Sequence, residues 1–274
     1  MSELISMEQL NKRLHEDNLV VIDCRYDLNN PQAGKGMYEQ NHIEGAVRFD
    51  LGEDLSGKKL EHGGRHPLPD LDVFINKLSE AGIDKSTFVV AYDDQNGPFA
   101  ARLWWMLKYL GHENVSVLNG NYSEWKKEGY PITTEKPNFE KRNFIPAIQS
   151  HMLVDMETVK NSIENDDVLL IDSRAAERYR GEVEPLDSKA GHIPSAKNMF
   201  WEKNINQNGN WKQREEFETR FSGVQSKQVI VYCGSGVTAT VNILALKTMG
   251  IDAQLYSGGW SDWSSYEENS IETN

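Results

Sequence analysis

The chain has 274 residues, of which 38% are hydrophobic and 26% charged, and its formal net charge is −13 at pH 7. This composition predicts a soluble globular protein of about two domains, and the negative charge argues against nucleic acid or an anionic membrane as a partner. No apolar run reaches the ~20 residues that a membrane helix needs, and the N-terminus has neither the basic nor the apolar region of a secretory signal.

Short strand-like runs alternate with helical patterns along the chain. In chain order, the patterns predict a helix over 7–15, a strand over 19–22, a helix over 71–80, a strand over 88–92, a helix over 100–110, a strand over 115–118, a strand over 229–232 and a helix over 240–249 that ends at Gly250. This alternation predicts an α/β fold with a mostly parallel sheet covered by helices on both faces. In such folds, ligands bind beyond the carboxyl ends of the strands.

Four sequence blocks occur twice in the same order. The pairs are 20–25 with 169–174, 42–46 with 192–196, 88–93 with 229–233, and 119–125 with 257–263. Such self-similarity indicates an internal duplication. Because the segment 131–150 contains three prolines and mixed charge, it is predicted to be an extended linker. We therefore expect a first domain over 1–132, a linker over 133–147 and a second domain over 148–274.

Cys233 follows a buried strand and precedes Gly234-Ser235-Gly236-Val237-Thr238-Ala239, which leads into a helix. A loop of this kind directs backbone N–H groups and the positive end of the helix dipole at the sulfur, which favours the thiolate. A buried structural cysteine is the alternative, but such a residue does not require a glycine loop after it. The sequence therefore predicts that Cys233 is a nucleophile.

The first copy carries Asp93 where the second has Cys233. Because an aspartate cannot carry sulfur, the first copy is predicted to be catalytically inactive. The other cysteine, Cys24, is predicted to be a packed residue. Two cysteines in different copies predict no disulfide framework and suit a reducing cytoplasm, and no Cys/His cluster has the spacing of a metal site.

The two-copy layout and several motifs resemble the tandem-domain rhodanese-like sulfurtransferases, a family that includes thiosulfate and 3-mercaptopyruvate sulfurtransferases. The motifs are 172–174 (Asp-Ser-Arg), 178–181 (Arg-Tyr-Arg-Gly), 191–194 (Gly-His-Ile-Pro) and 233–239. The resemblance implies two tandem rhodanese-like domains, no metal, no organic cofactor and a cysteine that takes sulfur from a donor as a persulfide. It implies transfer of that sulfur to cyanide or a thiol, with a thioredoxin-like protein as a plausible acceptor.

The resemblance also implies roles for individual residues. Arg178 matches the substrate-binding arginine of the family, and a guanidinium suits a carboxylate or sulfonate-like group. Backbone N–H groups of the loop residues Gly234, Gly236, Val237, Thr238 and Ala239 are expected to hold the anionic sulfur. Asp172 and Arg174 are expected to form an ion pair, with a structural role first and a supporting catalytic role second. His192 recurs as His42 and is expected to serve the fold.

The donor is left open between 3-mercaptopyruvate and thiosulfate. Gly234 and Ser235 favour mercaptopyruvate, because enzymes that use thiosulfate usually carry basic residues at these positions. The mercaptopyruvate group implies a proton relay of Ser235, His66 and an aspartate. Here Asp50 and Asp54 are candidates, although the aligned position is Gly52.

A second substrate-binding arginine that the resemblance implies is missing from the segment 181–189. Lys189 and Arg180 are candidates to replace it. A cysteine phosphatase and a persulfide carrier are the two rival functions. A cysteine phosphatase is disfavoured because it needs an arginine six positions after the cysteine, where Ala239 stands. A persulfide carrier or regulatory module without turnover remains an alternative.

Overall fold

The structure is a computed structural model, and it describes residues 2–273. The chain forms two compact units that are not contiguous in sequence. The first unit contains the described residues up to Gly57, Leu68–Gln149 and Gln207–Trp211, and the second contains Lys58–Pro67, Ser150–Asn206 and the described residues from Lys212 onward. The short segment Lys58–Pro67 therefore belongs to the second unit, although it lies in the first copy of the sequence repeat.

The first unit contains seven described strands and five described helices. The strands are β1 (Leu4–Ser6), β2 (Leu19–Asp23), β3 (His42–Ile43), β4 (Ala46–Arg48), β5 (Phe88–Tyr92), β6 (Val115–Asn119) and β7 (Ile132–Thr133). The helices are α1 (Met7–Arg13), α2 (Ala33–Gln40), α3 (Leu71–Glu80), α4 (Pro98–Tyr109) and α5 (Tyr122–Lys127). Helix α3 begins where Asp70 accepts hydrogen bonds from the N–H groups of Asp72 and Val73, the usual way to satisfy free donors at a helix start.

The second unit has the same alternation. Its strands are β8 (Leu153–Val154), β9 (Val168–Asp172), β10 (Lys197–Asn198), β11 (Gln228–Tyr232) and β12 (Gln254–Tyr256). Its α-helices are α6 (Met156–Ser162), α7 (Ala176–Tyr179), α8 (Arg214–Arg220), α9 (Ala239–Thr248) and α10 (Gly259–Trp263). Short 3₁₀ helices lie at Ser150–Met152, Trp201–Asn204 and Val224–Ser226.

Each unit is built on a five-stranded sheet of parallel pairs. The strand order is β1-β6-β5-β2-β4 in the first unit and β8-β12-β11-β9-β10 in the second, so corresponding strands occupy corresponding places. The central strands are buried along nearly their whole length, as expected for a parallel sheet with both faces covered. The α/β class, the parallel sheets and the duplication are confirmed.

The predicted elements agree with the structure where the sequence pattern is strong. The helix over 71–80 and the strand over 88–92 have the predicted bounds, and the other predicted elements differ at their ends by one or two residues. Several short elements were not predicted, among them helix α2 and the two-residue strands β3 and β7. None of the helices in the described part of the chain is long and apolar enough to span a membrane.

The proline-containing segment over 134–149 has no regular secondary structure, but it packs within the first unit. The N–H of Arg142 donates to the carbonyl of Ser79, the N–H of Ala147 donates to the carbonyl of Leu110, and Phe144 is buried. The division into a first domain over 1–132, a linker over 133–147 and a second domain over 148–274 remains a prediction.

One buried ion pair occurs at the same place in both units, directly after a central strand. Arg25 donates from Nε and Nη2 to the carboxylate of Asp23 at 3.1, 3.0 and 2.7 Å, and Arg174 donates to Asp172 at the same three distances. The predicted pairing of Asp172 with Arg174 is confirmed. The repeated histidine is buried in each unit as well, stacked on a neighbouring tyrosine ring, which fits its expected role in the fold.

Asp93 fills the loop between β5 and α4 in the first unit. Its Oδ1 accepts from the N–H groups of Gln95 (3.0 Å) and Gly97 (2.8 Å), and its Oδ2 accepts from those of Phe99 (2.9 Å) and Ala100 (3.1 Å). Burial raises the pKa of Asp93, and these four N–H groups act in the opposite direction because they stabilise the carboxylate. The loop of the first unit therefore surrounds an anion that belongs to the chain itself.

Replacing Asp93 by Asn tests this arrangement. An asparagine has one acceptor oxygen, so its NH₂ group would face two backbone donors, and we expect Asp93→Asn to lower the free energy of unfolding by about 1–3 kcal/mol. Urea unfolding followed by circular dichroism measures the loss. The matched control is Asp17→Asn at an exposed site, which should change stability by less than about 0.5 kcal/mol. Equal stabilities of the two variants would contradict this account of the loop.

Candidate active site

Cys233 lies directly after β11 at the carboxyl end of the second sheet, and it is buried and not in a disulfide. The loop over 233–238 then leads into α9, whose first residue is Ala239. Two hydrogen bonds connect the loop to α10, because the carbonyls of Cys233 and Gly234 accept from the N–H groups of Trp260 (2.8 Å) and Ser261 (2.9 Å). The predicted strand–cysteine–loop–helix arrangement is therefore present.

Two glycines permit the close approach of this loop to its neighbours. Gly236 has a φ of +74°, and a Cβ atom there would collide with the carbonyl oxygen of Ser257. Gly259 has a φ of +62°, and a Cβ atom there would lie 2.5 Å from the carbonyl oxygen of Cys233. Only glycine adopts this backbone conformation without strain and leaves room for the neighbouring main chain.

The segment over 58–67 is attached to the second unit by contacts with Asp262 in α10 and with Tyr266 just after it. The N–H of Gly63 donates to Asp262 at 2.7 Å, and the hydroxyl of Tyr256 donates to the same carboxylate at 2.6 Å. The ring of His62 stacks on Tyr266 with centroids 4.0 Å apart. Burial raises the pKa of Tyr256, so its hydroxyl stays protonated and remains a donor.

These contacts bring His66 to the loop over 233–238. Its Nδ1 lies 2.8 Å from Oγ of Ser235, a buried residue two positions after Cys233. The structure thus brings together two of the residues that the resemblance named. Asp262, which helps to hold this segment, was not singled out from the sequence. The corresponding residue of the first copy is Glu124, so the repeat pattern itself gave no indication of this role.

Arg178 lies at the same loop and is held by Glu184. Its Nε and Nη2 donate to the Glu184 carboxylate at distances from 2.6 to 3.2 Å. Glu184 also accepts from Arg174 at 3.2 Å. Burial acts against the charge of Arg174, but Asp172 and Glu184 outweigh it and hold the pKa of Arg174 above its usual value. Asp172 is fully buried and bonded to Arg174, so it positions the guanidinium of Arg174; its supporting catalytic role stays a prediction.

A second arginine, Arg65, lies at the same place. It forms an ion pair with Asp187, whose other oxygen is 3.6 Å from Arg178. The two residues considered as replacements for the missing arginine are engaged elsewhere. Lys189 donates to the carbonyl of Tyr266 at 3.0 Å, and Arg180 is paired with Glu182 at the surface. The sequence motif around His66 contained Arg65, but no spacing rule identified it.

The aspartate expected in a relay with Ser235 and His66 remains a prediction. In the first unit, Asp50 pairs with Arg48 and Asp54 pairs with Lys77. Asp50 also accepts from the N–H groups of Gly52 (2.8 Å) and Glu53 (3.0 Å), which stabilises a turn. Each candidate carboxylate thus has a structural function of its own.

Cys24 differs from Cys233 in its surroundings. Burial raises the pKa of the Cys24 thiol well above its usual value, and the negative charges of Asp93 and Asp23 raise it further. A thiol kept protonated in this way is a poor nucleophile, which agrees with the expected packing role. Within residues 2–273, no group of three or more His, Cys, Asp and Glu side chains is arranged to hold a metal ion.

Comparisons with known proteins agree on one family. A sequence profile described as "Rhodanese-like domain" matches residues 6–128 and 155–266. A probable 3-mercaptopyruvate sulfurtransferase of Pseudomonas aeruginosa is 39% identical over 270 residues, which cover 96% of this chain and 95% of that protein. A putative thiosulfate sulfurtransferase of Mycobacterium tuberculosis is 35% identical over 254 residues, covering 91% and 89% of the two chains.

The solved structures give the same result. The crystal structure of SseA from Escherichia coli, a 3-mercaptopyruvate sulfotransferase, superposes with a TM-score of 0.83 and 30% sequence identity, over 95% of this chain and 100% of the other. The names of the relatives include both donors, 3-mercaptopyruvate and thiosulfate. The comparisons therefore leave the donor to be argued from the site.

Gly236→Ala tests whether the loop needs glycine. The alanine would have an unfavourable positive φ and a collision with Ser257, so we expect a loss of stability well beyond the ~1–2 kcal/mol that the backbone conformation alone costs. The control is Gly250→Ala at the other end of α9, where φ is +81° but no atom lies within 4 Å of the added Cβ. Denaturant unfolding of both variants measures the difference. If Gly236→Ala is no less stable than Gly250→Ala, the close contact with Ser257 is not a constraint.

Proposed function

Because the chain belongs to the rhodanese-like sulfurtransferase family, we propose that it moves sulfur from 3-mercaptopyruvate to a thiol through a persulfide on Cys233. The observation that carries the choice of donor is the hydrogen bond of 2.8 Å between Ser235 and His66, beside the nucleophile loop. The alternative of another class, a carrier without turnover, would not need a proton-transfer pair at the loop.

The first half-reaction transfers one sulfur atom and one proton. The Cys233 thiolate attacks the donor sulfur, the carbon–sulfur bond of the donor breaks, and its electron pair leaves as the enolate of pyruvate. The proton of the donor thiol ends on the methyl carbon of pyruvate. Ser235 and His66 are suited to carry this proton, because a hydroxyl bonded to an imidazole can take up a proton on one side and release one on the other.

The loop then holds the product anion. In the first unit, N–H groups of the corresponding loop bind the Asp93 carboxylate. We propose that the N–H groups of Gly234, Gly236, Val237, Thr238 and Ala239 hold the Cys233 persulfide in the same manner. Arg178 binds the carboxylate of the donor, for which a planar guanidinium is well matched.

In the second half-reaction, an acceptor thiol attacks the outer sulfur, takes it as a new persulfide and releases the Cys233 thiolate. If the acceptor is a dithiol protein of the thioredoxin type, its second thiol closes a disulfide and releases hydrogen sulfide. A reducing cytoplasm suits this cycle, because Cys233 must return to the free thiol after each turnover. The chain needs neither a metal nor an organic cofactor for any of these steps.

Mass spectrometry of the intact protein tests the persulfide. After incubation with 3-mercaptopyruvate, we expect the chain to gain the mass of one sulfur atom and to lose it on addition of a thiol acceptor. Cys233→Ser should gain none, whereas Cys24→Ser, which removes the other thiol, should gain as much as the unsubstituted chain. A gain that persists in Cys233→Ser, or the absence of any gain with both donors, would reject the mechanism. Charging without steady-state turnover would support the carrier alternative.

The two donors differ in their need for a proton, and this difference tests the roles of His66 and Ser235. Thiosulfate releases sulfite as its sulfur is transferred, and no proton has to move. We therefore expect His66→Gln and Ser235→Ala to slow charging by 3-mercaptopyruvate about 10²–10⁴-fold, with a far smaller effect on charging by thiosulfate. Single-turnover mass spectrometry gives both rates. Equal losses with both donors would show that the pair shapes the loop and does not transfer a proton.

A further inference from the structure

The short helix α10 is bonded to both parts of the candidate site. Its N–H groups at Trp260 and Ser261 donate to two carbonyls of the loop that begins at the cysteine, at 2.8 and 2.9 Å. The next residue, Asp262, accepts the N–H of Gly63 on its Oδ1 atom at 2.7 Å. The five residues of α10 therefore hold the cysteine loop and the segment over 58–67 in one fixed relation.

The carboxylate of Asp262 is itself firmly placed. The residue is only 6% exposed, and its Oδ2 atom accepts the hydroxyl of Tyr256 at 2.6 Å. Each oxygen thus has one donor, and hydrogen bonds to an ionised group are stronger than those between neutral groups. Because the site is shielded from water, the bond to Gly63 is stronger than it would be at the surface.

Two glycines bring the segment close enough to α10 for this bond. Gly63 and Gly64 have φ values of +96° and +82°, and a Cβ atom on Gly64 would collide with the carbonyl oxygen of Gly258. His66 follows Gly63 by three positions, and consecutive Cα atoms are about 3.8 Å apart. Fixing the backbone at Gly63 therefore restricts where the imidazole that faces Ser235 can lie.

The corresponding positions of the first unit carry no such pair. Leu118 stands where the second unit has Tyr256, and Glu124 stands where it has Asp262. Leu118 is buried, whereas the side chain of Glu124 is 38% exposed and pairs with Lys127. Burying a phenol and a carboxylate costs free energy that an apolar contact does not. A pair of this kind in the unit that contains the cysteine loop indicates a role beyond packing.

Resting on the proposed function, we infer that Asp262 is a positioning residue for proton transfer. Through the N–H of Gly63 it holds His66 at Ser235, and so it sets the preference for a donor that must move a proton. Asp262 is buried and bonded to Gly63 and Tyr256, so its effect on the reaction passes through His66. Its loss therefore slows transfer from 3-mercaptopyruvate and leaves transfer from thiosulfate nearly unchanged.

Single-turnover mass spectrometry of the full chain with each donor tests this inference. Asp262→Ala should slow charging by 3-mercaptopyruvate about 10–100-fold, since a displacement of about 1 Å at a reacting group costs as much. The effect on thiosulfate should be far smaller, so the ratio of the two rates falls. Added to His66→Gln, Asp262→Ala should slow charging by less than about twofold, because there is then no imidazole to position.

Three further variants complete the test. Asp262→Asn keeps an acceptor for the N–H of Gly63, and it should retain more of the rate with 3-mercaptopyruvate than Asp262→Ala does. If Asp262→Ala does not fold, the double variant Asp262→Leu with Tyr256→Phe replaces it, because apolar groups on both sides leave no unpaired phenol. Asp252→Ala removes a 79% exposed acid of the same unit and should leave both rates unchanged.

The outcomes separate this inference from the function on which it rests. Equal slowing with both donors, an unchanged ratio, or a full additional loss in the His66→Gln background overturns the role of Asp262. If His66→Gln itself leaves the ratio unchanged, the proton transfer assigned to His66 fails, and the inference fails with it. If the unsubstituted chain gains no sulfur from either donor, the proposed function fails.

Discussion

The buried pair of Asp172 and Arg174 is the interaction on which the arrangement of the site depends. A charged pair in the interior is retained only when its remaining donors are satisfied, and Arg174 donates in addition to the carbonyl of Gly191 and to Glu184. Glu184 in turn fixes Arg178. In the first unit, the corresponding Arg25 donates to the carbonyl of Asn41, the counterpart of Gly191, but its other acceptor is the carbonyl of Met37 and not a carboxylate. The ion pair is thus part of the fold in both units, and only in the second does a carboxylate extend it to Arg178, the side chain that we propose binds the donor.

The two copies also show how one loop serves two purposes. The loop of the first unit donates four backbone hydrogen bonds to the carboxylate of Asp93. The loop of the second unit begins with a thiol, and the anion that we propose it holds, the Cys233 persulfide, forms only during the reaction. Both units have therefore kept a loop whose shape suits the binding of an anion. The first residue of the loop, Asp93 or Cys233, decides whether that anion is a permanent carboxylate or one that would form during a reaction.

Much of the architecture could be predicted from the sequence, because buried parallel strands and amphipathic helices leave periodic patterns, as in 71–80 and 88–92. The four repeated blocks likewise indicated an internal duplication. Single contacts between residues far apart in the sequence could not be predicted, because they leave no periodic pattern. Gly63 and Asp262 are 199 positions apart and are joined by a single hydrogen bond, and no local pattern records such a contact. The sequence motif identified His66 by resemblance. The proximity of the neighbouring Arg65 to Gly234 is likewise a contact between distant parts of the chain, and only the structure shows it.

The choice of donor depends more on the proton than on the charge. Thiosulfate and 3-mercaptopyruvate are both anions, so two guanidiniums at the loop attract either one, and in a chain with a net charge of −13 such a local positive field is needed for both. Only mercaptopyruvate must move a proton from sulfur to carbon as its sulfur leaves. A hydroxyl and an imidazole 2.8 Å apart beside the Cys233 loop are suited to assist that step, whereas the departure of sulfite has no use for them. The pair of Ser235 and His66 therefore favours the donor that needs it, even where the anion-binding residues accept both.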